Sequence, residues 1–127
     1  MVIIDQTNNS ISVTRGDYAA LVFSAYEDDG TTMHELSNGD TVQMQICKNY
    51  GTPVKTYTRT KTNSLSTTDD DYTIEIPTGD TKDLKFGDYF YDVSIVDTSG
   101  NVCTYIGDDG DIQPRFTVLK EAGGGDE

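Results

Sequence analysis

The chain has 127 residues, of which 35% are hydrophobic, and its 9 Lys and Arg against 22 Asp and Glu give a formal charge of −13. That length suits one domain with one core, needing neither metal nor disulfide to fold. The acidic excess repels phosphate backbones and anionic membrane surfaces, so neither nucleic acid nor membrane is an expected partner.

Residues 1 to 9 read as an N-terminal extension, since Val2-Ile3-Ile4 is followed at once by polar residues. They supply no basic leader with a sustained apolar run, and no stretch of the chain is long enough to span a bilayer, so a cytoplasmic site of synthesis is expected. Tyr, Thr, Val and Ile are plentiful while Leu and Ala are sparse, which favours strands with one wet face. The first two strands are expected at 11 to 15 and 18 to 26. In the second, Leu21, Phe23 and Ala25 share one face, and Tyr18, Ala20, Val22 and Tyr26 form another apolar enough to be partly covered, so this strand is predicted to be central. Between the two, Arg15-Gly16-Asp17 spells the integrin-binding tripeptide. It reads instead as a turn, with Gly16 giving backbone freedom and Asp17 a side-chain acceptor.

A loop dense in Asp, Gly, Asn and Ser at 27 to 40 precedes the clearest strand, 41 to 48, where Val42, Met44 and Ile46 alternate with Gln43, Gln45 and Cys47. Residues 54 to 61, polar on both faces, fit a solvated edge strand whose lysines discourage further pairing. Tyr72, Ile74 and Ile76 alternate inward up to Pro77, and a helical turn at 78 to 84 leads to the longest strand, 85 to 97, with Tyr89, Tyr91, Val93 and Ile95 on one face. A tight turn at 98 to 100 returns the chain through 101 to 107, an acidic loop follows, and 115 to 119 forms the last strand. Residues 121 to 127 have nothing to bury and read as a disordered, acidic, Gly-rich tail. The expected fold is an all-β, immunoglobulin-like Greek-key sandwich of seven to eight antiparallel strands over residues 10 to 120. Leu84, Gly87 and Tyr89 carry the pattern L-x-x-G-x-Y, the tyrosine corner with which such sandwiches brace a crossing between sheets.

Catalytic groups are scarce. His34 is the only imidazole and sits in a polar loop, no motif selects a nucleophile among the serines, and no Gly-rich segment matches a phosphate loop. No catalytic residue and no cofactor is therefore expected. Cys47 and Cys103 are read as free thiols, too few with one His for a zinc site. Three acidic clusters, Glu27-Asp28-Asp29, Asp69-Asp70-Asp71 and Asp108-Asp109-Gly110-Asp111, are candidate calcium ligands, with Asp108, Asp109 and Asp111 the set carried forward, although Asp in turns more commonly bonds its own backbone. Phe90, Val96, Cys103 and Tyr105 are expected to face outward together as a docking patch.

Four segments in order, the Gly16-Asp17 turn, "GDTV" at 39 to 42, "GDYFYDV" at 87 to 93 and "GNVCT" at 100 to 104, make residues 10 to 120 resemble the immunoglobulin-like domain of tail and baseplate proteins in phages and prophages of Gram-positive bacteria, the upper baseplate N-terminal domain among them. The resemblance implies a non-enzymatic virion module, assembled in the host cytoplasm, that contacts other virion proteins or further copies of itself. Upper baseplate proteins continue into a stem and a receptor-facing region, whereas this sequence ends in its tail, which adds an accessory place at the neck or capsid surface to the expectation. The alternative class is a calcium- or carbohydrate-binding surface module.

Overall fold

A computed structural model describes residues 2–5 (as backbone), 10–27, 29–48, 53–62, 65–107 and 114–120. Among them run β1 (Val2–Asp5), β2 (Ser10–Thr14), β3 (Ala19–Val22), β4 (Thr41–Cys47), β5 (Lys55–Thr60), a 3-10 turn (Asp69–Tyr72), β6 (Thr73–Ile76), α1 (Thr78–Asp83), β7 (Gly87–Val96), β8 (Val102–Ile106) and β9 (Arg115–Leu119). The protein is an all-β sandwich. One sheet has seven strands in the order β1-β2-β9-β7-β4-β5 with β8 also on β7, and it faces a two-stranded sheet of β3 and β6.

Period-two alternation drives the pairing, because each strand has one apolar face to hide. Val42, Met44 and Ile46 of β4 are fully buried, as are Ile11, Val93 and Phe116 from its sheet and Leu21, Ile74 and Ile76 from the small one. The rings of Phe23 and Tyr91 meet across the gap at 5.8 Å between centroids. Most pairs are antiparallel, but β2 lies parallel to β9, with Ile11 opposite Phe116 and Val13 opposite Val118.

The long strand β7 organises the large sheet. β4 pairs with Phe90–Val96 along one edge, while the other edge is shared: β9 pairs with Gly87–Phe90 and β8 with Val93–Val96. β8 and β9 are thus two pieces of one interrupted strand. The ladder resumes where the Tyr91 N–H donates to the Pro114 carbonyl at 3.2 Å.

Several expectations are corrected here. Residues 2 to 5, read as part of an extension, form β1 and pair antiparallel with β2. The strand expected to be central, β3, pairs with β6 alone among the described residues and ends at Val22. With no layer over it among the described residues, its outward row stays wet, with Tyr18 at 52%, Val22 at 49% and Tyr26 at 52% exposure. β5 is an edge strand, but it is not polar throughout. Tyr57 packs half-buried against the core, and just past the strand Lys61 is buried, its ammonium 3.0 Å from the Asp71 carboxylate.

Candidate functional site

The tripeptide at 15 to 17 is part of a structural brace. The Arg15 side chain is buried and its Nε donates to the Leu84 carbonyl at 3.0 Å, so it is withheld from any receptor. Gly16 adopts φ +90, in the left-handed region, and the Asp17 N–H closes the turn on the Thr14 carbonyl at 3.0 Å. The Gly16 N–H donates to the hydroxyl of Thr81 at 3.1 Å, and that buried hydroxyl lies 2.8 Å from the Asp17 carbonyl. Through Thr81, α1 is fastened to the turn between β2 and β3.

Beside this brace stands the predicted corner. Leu84 and Tyr89 are buried, Gly87 has φ +134, and the Tyr89 hydroxyl donates to the Lys85 carbonyl, four residues upstream, at 2.8 Å. The Lys48 ammonium lies 4.7 Å from the Tyr89 ring centroid, a cation over the negative face of the ring. Among the described residues, this end of the sandwich is cross-tied by these bonds.

The predicted docking patch does not assemble. Phe90 and Val96 occupy the outer face of the large sheet, half-buried and at opposite ends of β7. Cys103 sits opposite Ile95 on the inner face, and Tyr105 turns inward so that its hydroxyl donates to the Phe23 carbonyl. The cause is register. Val96 pairs with Val102, which fixes the odd residues of β8 inward, and the shift between Val93 and Ser94 seats Tyr105 deeper still. Burial pushes the Tyr105 hydroxyl well above the usual tyrosine range.

Two acidic clusters prove to have structural work. Asp29 accepts from the N–H groups of Thr31 and Thr32, each at 2.8 Å, and from the Thr32 hydroxyl. The Thr32 hydroxyl and these amides hold its carboxyl at about 2. Asp69 accepts from the Ser24 hydroxyl at 2.7 Å, and Asp71 from the Thr68 N–H at 3.0 Å as well as from Lys61. Asp108, Asp109 and Asp111 lie outside the described residues. Among the described residues, no three His, Cys, Asp or Glu side chains converge as a metal site. Cys47 and Cys103 are free. Burial and then the charge of Asp92 push the Cys47 thiol up, which makes it a weak nucleophile near neutral pH.

What the structure assembles instead is a cleft of about 460 Å³ at the other end of the sandwich. Its floor is apolar, made by Ala25, Ile95 and Tyr105, and its rim carries Glu27, Asp40 and Asp97. His34 sits on the same rim with Nδ1 3.5 Å from the Glu27 carboxylate. Asp97 is fixed by the N–H groups of Ser99 and Asn101, each at 2.9 Å, and by the Asn101 side-chain amide at 3.1 Å; the Asn101 and Ser99 donors hold its carboxyl below the usual range. Asp40 accepts from the Ser37 N–H at 2.9 Å. Gly39 makes this packing possible, because at φ +93 it lies so close to Thr98 that a Cβ would overlap that side chain. Sequence reasoning misses the cleft, since Asp40 and Asp97 come to the same cleft only through the pairing of Thr41 with Val96.

No protein-family model and no curated protein matches this chain.

Proposed function

We propose that the protein is a non-enzymatic structural component of a phage or prophage virion, an immunoglobulin-like sandwich that acts through protein–protein contact. The observation that carries this reading is the crossing at Tyr89, whose hydroxyl bond to Lys85 occupies the place such sandwiches reserve for their corner tyrosine. The family-like segments are consistent with it. They fall on the β2–β3 turn, the lead into β4, strand β7 and the β7–β8 hairpin, all of them positions that set strand order rather than chemistry. The parallel pairing of β2 with β9 beside β7 and β4 supports the same arrangement.

Negative-stain imaging of purified virions with an antibody against this chain tests the reading. Label at one recurring place on the particle is expected, at the baseplate, tail, neck or capsid surface. Particles that never carry label overturn it.

A further inference from the structure

We propose that the cleft and the free edge of β8 together form a docking site for an extended, basic segment of a partner protein. The proposal rests on the reading of the chain as a contact module and adds the chemistry of what it contacts.

The free edge is the first observation. β8 pairs with β7 on one side, and among the described residues no strand pairs with its other side. Its first three residues, Val102, Cys103 and Thr104, are exposed, Val102 at 63%. An edge of this kind offers a row of unpaired backbone donors and acceptors, the feature to which extended peptides add as a further strand.

The cleft is the second, and its position gives the edge a direction. Cys103 and Tyr105, on the inward face of β8, form part of its wall. A strand laid along β8 points every second side chain the same way, over the cleft. An apolar floor with a charged rim suits a long side chain that buries its methylenes and keeps a charged head at the mouth. The exposed ring of Tyr26, also in the wall, offers such a cation a face.

Charge then selects the occupant. Glu27, Asp40 and Asp97 stand around the rim without converging, which fits a lysine or arginine head rather than a single metal ion. A second copy of this chain is a poor match. Two bodies of charge −13 repel, and the exposed edge strand that carries Lys55 already spends that ammonium on Asp83, 3.7 Å away. A partner of opposite sign is steered in by the same field.

The test is an NMR titration of the 15N-labelled full chain with the acetylated, amidated peptide TVRVKVT, alongside the charge-reversed peptide TVEVEVT. Shifts confined to the amides of 102–106 and to the cleft residues, with the acidic peptide silent, are expected. Glu27→Gln should weaken the basic peptide about fivefold or less, the scale of one rim charge pair, and added salt should weaken it further. Equal response to both peptides, response spread over the surface, or response at 55–60 instead of 102–106 overturns the proposal. Concentration-dependent shifts at β8 in the chain alone assign the edge to a second copy and overturn it too. Labelled virions with a silent titration would remove this inference and leave the virion reading standing; a site-specific titration with unlabelled virions would do the reverse.

Discussion

The two ends of β7 are built in opposite ways. At Gly87–Phe90 the strand is paired with β9 and meets β4 only at Phe90, the Tyr89 hydroxyl ties back to Lys85, and Arg15 and Thr81 bond α1 and the β2–β3 turn across the sheets. At Val93–Val96 β4 flanks the strand on one side and β8 on the other. There the 27–40 segment is fastened on one side through the Tyr72 hydroxyl on the His34 carbonyl at 2.6 Å and the Leu36 N–H on the Thr67 hydroxyl at 2.8 Å, and beside β5 through the Gly39 N–H on the Lys61 carbonyl at 2.8 Å. The Tyr105 hydroxyl also spans the gap, donating to the Phe23 carbonyl. The corner end is tied by bonds gathered on one turn and one short helix, whereas the ties at the other end stand apart and leave a cleft between them.

Substitutions can break that contrast. Lys61→Met should cost most, about 3 kcal/mol by urea denaturation, because Asp71 is left mostly buried without its cation. The pair also fixes an acid dependence. Desolvation raises the Asp71 carboxyl, but the Thr68 N–H and Lys61 outweigh it and hold the group below its usual value. Its contribution is therefore complete above the unfolded value of about 4 and is lost as pH falls through the lower folded value. Denaturation midpoints between pH 6 and pH 2 should fall less steeply in Lys61→Met than in the parent. At the corner end, Thr81→Val keeps the volume but removes the hydroxyl that bonds both the Gly16 N–H and the Asp17 carbonyl, a loss of about 2 kcal/mol. Tyr89→Phe should lose about 1 kcal/mol, one net hydrogen bond, read as a lower melting temperature. Val102→Thr, at the open end, should stay within about 0.5 kcal/mol of the parent. If Val102→Thr costs as much as Thr81→Val, the two ends are not different in kind.

Local patterns in the sequence lead to the strands but not to their neighbours. Val42, Met44 and Ile46 announce β4, and Leu84, Gly87 and Tyr89 announce the corner, because alternation and a Gly turn act over a few residues. The lead into β4 is legible for the same reason: Gly39 answers a local demand for positive φ, and Asp40 bonds Ser37, three residues back. The burial of Arg15 is not legible, since its Leu84 partner is distant in sequence. Tyr18, Val22 and Tyr26 look coverable by composition, and only the absence of another layer among the described residues leaves them wet. Cys103 and Tyr105 face inward, against the expectation, because the turn and the register shift, rather than the residue types, set their direction.

The parallel pairing of β2 with β9 also decides where the chain ends emerge. β1 runs back along β2, so Val2 stands opposite Val13, and Val13 opposite Val118. Two strand spacings separate Val2 from Val118, about 10 Å, and Val118 is level with Gly87. Both ends of the described chain therefore leave from the corner side. A tether attached at either one, whether an affinity tag on a sensor surface or a linker to another body, holds that side down and turns the cleft outward.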